Sequence, residues 1–157
     1  MDVEAFVFYA QHNLNLGSGF GTAISTRGGP KIQEELKQYG TLETTEAVVS
    51  EAGMLKAKHI IHAVGPRFKE TDLDEKLRKT VLNSLIKVDE RGIKQVAFPA
   101  MGTGFYGIPL ELCATVMIDT ITDYLHGSTH LEEVIICVMD TREYQPFANQ
   151  MLSVQEV

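Results

Sequence analysis

The chain has 157 residues, a length suited to one domain that buries about 70% of its unfolded surface. Its composition, 44% hydrophobic and 22% charged, is that of an ordinary globular protein and excludes the disordered and fibrous classes. A formal net charge of −7, from 14 basic and 21 acidic residues, argues against a general nucleic-acid binder, which usually carries a basic face.

No apolar run approaches the roughly 18 residues of a membrane span. The N-terminus, MDVEAFVFYAQHN, carries acidic residues where a secretion signal would carry lysine or arginine. An intracellular, cytoplasmic protein is therefore expected. Cys113 and Cys137 lie in apolar stretches and read as two small core residues rather than a disulfide, which fits a reducing compartment.

In chain order, Val3 to Ala10 (VEAFVFYA) is apolar, aromatic and too short for a stable helix, so it predicts a buried strand. A glycine-rich stretch follows, with one helix opening near Gly19. A second opens at Pro30 (PKIQEELKQYG), with Gly40 at its end. Glu46 to Ser50 and Lys58 to Val64 predict short strands joined by a turn at Gly53, and Gly65-Pro66 stops the second. From Leu73 to Arg91, Leu77, Val81, Leu85 and Val88 recur at helical spacing on one face. Asp72 is expected to cap this helix, with Glu75 three residues on and Gly92 past its end.

Gln95 to Pro99 predicts the next strand, and Leu110 to His126 a long helix with Ala114, Met117, Ile121 and Leu125 inward. Glu132 to Met139 (EEVIICVM) predicts a central strand buried on both faces, and residues 144–152 a last short helix. Strands alternating with helices imply an α/β fold, a three-layer sandwich around a mixed, largely parallel sheet, in a single domain over residues 1–157.

Two loops in this pattern are rich in glycine: Gly17-Ser18-Gly19-Phe20-Gly21 after the first strand, and Gly102-Thr103-Gly104-Phe105-Tyr106-Gly107 after the QVAFP strand. Glycine allows positive φ and close backbone approach, so successive amides can converge on an anion, and a following helix adds its dipole. Ligands of α/β sheets settle at the carboxyl ends of strands, so two such loops could grip a diphosphate between them. Neither loop fits a standard fingerprint. Counting from Gly17, the sixth position of Gly-x-Gly-x-x-Gly falls on Thr22, and no Gly-x4-Gly-Lys-Ser/Thr motif is present. Each loop alone fits a tight structural turn as well as it fits a phosphate site.

The ordered segments LNLGSGFGTAI, RGGPKIQEEL, EAVVSEAGML, KHIIHAVGP and QVAFPAMGTGFYGIPLE, over roughly residues 4–126, resemble the macrodomain family, α/β/α modules that bind ADP-ribose. The resemblance implies that Gly17, Ser18, Gly19, Phe20 and Gly21 wrap the diphosphate. It also implies that Gly102, Thr103, Gly104, Phe105 and Tyr106 close over the phosphates and the distal ribose, with Tyr106 flanking that ribose. Met139 and Asp140 would line the adenine side. ADP-ribose or ADP-ribosylated macromolecules are the partners so implied, with no cofactor and no metal.

The chain departs from the family pattern at three places. The sequence starts after the position of the usual first strand and of the Gly-Asp-Ile/Leu motif whose aspartate reads adenine, which leaves a naturally short form, a fragment, or another group that reads adenine as the alternatives. Phe8-Tyr9-Ala10-Gln11 stands where Asn-Ala-Ala-Asn is usual, so Gln11, one methylene longer, takes the place of the asparagine that holds the distal ribose. Gly21 stands where the hydrolytic branch carries an aspartate that helps activate water, and no Asp or Glu lies between Gln11 and Gly29. His12 is the nearest titratable group and reads as a solvated histidine after a strand; His62 reads as structural. A binding module with little or no catalysis is expected. The alternatives are a hydrolase of ADP-ribosyl-protein or O-acetyl-ADP-ribose, and a binder of another phosphorylated metabolite or nucleic acid.

Overall fold

A computed structural model describes residues 3–17, 19–67, 69–103 and 107–155. The first strand, β1 (Ala5–Tyr9), alternates its side chains between two cores. Ala5, Val7 and Tyr9 face one; Phe6 and Phe8 face the other. That period of two is what a strand packed on both faces requires.

The remaining elements are α1 (Phe20–Gly28), α2 (Lys31–Leu36), a 3-10 turn (Lys37–Tyr39), β2 (Ala47–Glu51), β3 (His59–Ala63), α3 (Leu73–Glu90), β4 (Gln95–Pro99), α4 (Leu110–Leu125), β5 (Glu133–Cys137) and α5 (Thr141–Gln155). The strands form one sheet in the order β2-β3-β1-β4-β5. β3, β1, β4 and β5 run parallel, while β2 pairs antiparallel with β3 through Ala47↔Ala63 to Glu51↔His59. The sheet is thus mixed and largely parallel, as the pattern of elements predicts.

On one face, α3 buries Leu77, Val81, Leu85 and Val88, and α4 buries Cys113, Ala114, Met117 and Ile118 in the same core. Each of the leucine, valine, isoleucine and methionine side chains among them is worth about 1.5–3 kcal/mol when removed from water. On the opposite face, Ile24 of α1 and Ile32 and Leu36 of α2 pack with Leu14 and Leu16 of the glycine-rich segment. The first loop is therefore anchored by its own leucines. Two cores on two faces make the three-layer sandwich.

Four expectations are corrected. β5 is an edge strand with both ends exposed, not a central one, because it pairs only with β4 among the described strands. Val134 and Ile136 still pack on the core, and Cys137 lines an apolar groove. Cys137 is accordingly exposed while Cys113 is buried, and both thiols are free. Asp72 does not cap α3: its backbone is left-handed, at φ 54° and ψ 47°, and its side chain makes no capping bond. The last helix is longer than residues 144–152, spanning Thr141–Gln155 with Pro146 inside it.

Candidate functional site

β1 and β4 are parallel neighbours, so the two glycine-rich loops leave adjacent strand ends on the same rim of the sheet. Ser18, Gly104, Phe105 and Tyr106 lie outside the described residues; the other predicted site residues are described.

The first loop is held by side chains that glycine counting does not reveal. Gln33 of α2 accepts the Leu16 amide at 2.8 Å and donates to the Leu14 carbonyl at 3.1 Å. Asn15 accepts the Gly17 amide at 2.6 Å, so that amide is already engaged. Gly19 sits at φ 57°, ψ −138°, a conformation that costs a side-chain-bearing residue about 1–3 kcal/mol.

No side chain caps α1. Thr22 donates back to the Gly19 carbonyl at 3.1 Å, but the amides of Gly19, Phe20 and Gly21 have no protein acceptor among the described residues. Unsatisfied amides at a helix start, with the positive end of its dipole behind them, are suited to receive an anion.

Gly21 has a second reason to be glycine. A Cβ there would stand 3.0 Å from Leu16 Cα and 3.2 Å from the Leu16 carbonyl carbon. The loop folds back so tightly on the start of α1 that a side chain would press on backbone. The missing carboxylate is thus coupled to the packing of the loop.

The second loop is closed at its base by the Ile108 amide donating to the Gly102 carbonyl at 2.9 Å. Gly102, at φ 75°, packs against Ile108 and the Tyr9 hydroxyl, with space for no Cβ. The Thr103 hydroxyl reaches the Ala100 carbonyl at 3.1 Å and Glu143 at 3.3 Å.

Glu143 itself is 6% exposed and accepts the Met139 amide at 2.8 Å. Asp140 in turn accepts the Glu143 amide at 2.9 Å, so one of its carboxylate oxygens serves as the cap of α5. The spacing Asp140-x-x-Glu143 is a capping pattern, and it was the available sequence signal for Glu143. Gln33 carries no comparable signal.

Gln11 is half-buried just past β1, and its carbonyl accepts the Leu14 amide at 2.9 Å. Phe8 stacks at a tilt with Phe20, ring centroids 6.1 Å apart, and meets His62 edge-on. His62 is fully buried and bonded to Ser50 at 2.8 Å. Burial pushes its pKa down to about 3, so it is neutral and structural.

Beside the first loop an apolar groove of about 420 Å³ runs between α1 and the sheet, lined by Phe6, Phe20, Ala23, Pro99 and Cys137 among others. Met139, two residues past β5, is 90% exposed. No group of three or more potential metal ligands occurs among the described residues, and no described helix is long and apolar enough to cross a membrane.

Comparison with known proteins bears on this rim. A protein of Pantoea vagans named O-acetyl-ADP-ribose deacetylase 1 is 37% identical over 150 residues, which cover 92% of this chain and 88% of the relative. The Oceanobacillus iheyensis macrodomain solved with ADP superposes with a TM-score of 0.91 at 24% identity, covering 99% of this chain and 86% of its own. The Trypanosoma brucei macrodomain in complex with ADP-ribose superposes at 0.87 and 22% identity, covering 96% and 64%. Both solved structures speak to the fold alone. The family model for the macro domain matches residues 9–117, from the end of β1 into α4 and across both glycine-rich loops. With that match over most of its length, this chain belongs to the macrodomain family.

Proposed function

We propose that the protein binds ADP-ribose, free or attached to a macromolecule, across the rim formed by the two glycine-rich loops. The observation that carries this is the set of amides of Gly19, Phe20 and Gly21, unpaired among the described residues at the start of α1, a setting suited to a diphosphate. Gly17 contributes conformation, since its amide is held by Asn15. Gly102 and Thr103 position the second loop, with Ser18, Gly104, Phe105 and Tyr106 completing the two jaws. Gln11 would meet the distal ribose. Asp140, with one oxygen committed to α5, stands on the adenine side beside Met139. The ligand needs neither cofactor nor metal to bind in this way.

A second reading, hydrolysis of an ADP-ribosyl or O-acetyl-ADP-ribose ligand, is favoured by the name of the Pantoea vagans relative. It is opposed by Gly21, where a base would stand and a Cβ would crowd Leu16. Binding with weak or no turnover accommodates both observations.

A thermal-shift comparison of ADP-ribose with AMP, NAD and nucleotide sugars tests the binding reading. At 100 times the dissociation constant a ligand adds about 2.7 kcal/mol, which raises the melting temperature of a chain this size by roughly 5–10 °C. ADP-ribose should give the largest shift. No shift with ADP-ribose, or equal shifts with inorganic phosphate, would remove the proposal.

A further inference from the structure

A second polar cluster occupies the same rim, on the β3 side of β1. His12, which follows β1, places Nε2 3.1 Å from the Thr44 hydroxyl. Thr44 lies ahead of β2, whose first residue pairs with the last residue of β3, so it reaches the same end of the sheet. The Thr44 hydroxyl is 3.2 Å from Glu70 Oε1. Glu70 also receives the Arg67 amide at 2.7 Å and the Lys76 ammonium at 3.3 Å. Partial burial pushes the Glu70 carboxyl up. The bonds from Arg67, Lys76 and Thr44, with the Lys76 charge, outweigh that and leave it below the ordinary carboxylate value.

The donor directions in this chain are determined. An ionised carboxylate only accepts, so the single Thr44 hydroxyl hydrogen goes to Glu70. The Thr44 oxygen can then only accept from His12, which puts the ring hydrogen on Nε2 and leaves the lone pair on Nδ1. Among the described residues no protein group bonds Nδ1. The backbone is fixed too, because the His12 carbonyl accepts the Leu42 amide at 2.8 Å. A half-buried imidazole whose tautomer is set by a hydroxyl and a carboxylate behind it, with its other nitrogen unoccupied, has the organisation of a positioned base.

We propose that His12 is the general base for hydrolysis of an acyl ester on the distal ribose of a bound ADP-ribosyl ligand, with Thr44 and Glu70 as its positioning residues. The proposal rests on the ADP-ribose binding proposed above, and places the base beside Gln11 instead of at Gly21. Water adds to the acyl carbon as Nδ1 takes its proton. The tetrahedral intermediate then expels the ribose oxygen, which recovers that proton from the imidazolium. One carboxylic acid and one ADP-ribosyl ligand with a free hydroxyl result, with water consumed and no change of oxidation state.

Acetate release from O-acetyl-ADP-ribose, measured on the full chain beside ADP-ribose affinity by calorimetry, tests this. His12→Ala should lower kcat about 100-fold or more while KM moves less than about threefold. Exogenous imidazole should restore part of the rate in His12→Gly. Thr44→Val should lower kcat about tenfold, and Thr44→Ser should regain most of it. Wild-type turnover unchanged by His12→Ala in a folded variant would overturn the proposal. So would the absence of wild-type turnover alongside intact ADP-ribose binding. Absence of both binding and turnover would overturn the binding reading itself.

Discussion

The two flanks of the rim that carries the glycine-rich loops are built differently. On the β2–β3 side, polar side chains are tied into continuous networks: His62 with Ser50 inside the sheet, and His12, Thr44, Glu70 and Lys76 above it. On the β5 side the strand is exposed at both ends, Cys137 and Met139 face outward, and an apolar groove runs beneath. The polar groups there, Asp140 and Glu143, are spent on capping α5 and holding the second loop. The difference separates two tasks. A flank whose groups are oriented by bonded neighbours can move a proton at a fixed atom, whereas an apolar flank offers contact area.

The largest expected effect breaks the β3 flank from within. His62 is held neutral by burial, with a folded pKa of about 3 against 6.5 in a free chain. Between those values the unfolded chain binds a proton that the folded one refuses, so the stability present above pH 6.5 is lost as the pH falls toward 3. From pH 7 to pH 4 this single group should cost about 3 kcal/mol. Urea titrations at the two pH values should show that much less acid sensitivity in His62→Gln than in the wild type.

Between the flanks, Gly19→Glu should weaken ADP-ribose binding at least 100-fold, about 2.7 kcal/mol, by setting a carboxylate where the proposed binding mode puts the diphosphate. Open space surrounds a Cβ at this position, so the cost to folding comes from the positive φ alone. Gly19→Ala shares that strain without the charge and, measured by calorimetry, should keep most of the affinity.

On the β5 flank, Glu143→Ala removes the acceptor of the Met139 amide and a partner of the Thr103 hydroxyl and should cost about 1.5 kcal/mol by chemical denaturation. The smallest effect belongs to Gln33→Ala. Loss of its two bonds to Leu16 and Leu14 should lower affinity about fivefold, near 1 kcal/mol, with little change in melting temperature.

Periodicity was enough for most of the fold. The four-and-three spacing of Leu77, Val81, Leu85 and Val88 and the short apolar strands map onto the observed elements, because burial on a defined face leaves a repeating signature. β5 shows where that stops. The run EVIIC is equally apolar whether or not a second strand lies beside it, and sequence pattern does not encode the neighbour. Asp72 shows a local failure, since a capping residue is useful only with an extended backbone and this one is left-handed.

The candidate site is legible in the sequence as two glycine-rich loops, with the departures at Gln11 and Gly21. What was not visible is the support. Gln33 is 17 residues from Leu16, and Thr44 is 32 from His12 and 26 from Glu70, so only the fold brings these partners together. His12 reads as a solvated histidine until Thr44 and Glu70 are seen behind it.

The central claim, that this rim holds ADP-ribose between its two loops, is tested most directly by titration calorimetry of ADP-ribose into the wild-type chain and Gly19→Glu. The account predicts one-to-one binding in the micromolar range for the wild type, about −8 kcal/mol, and none for the folded variant. No heat of binding with wild-type protein at millimolar ligand, or equal affinity in Gly19→Glu, would contradict it.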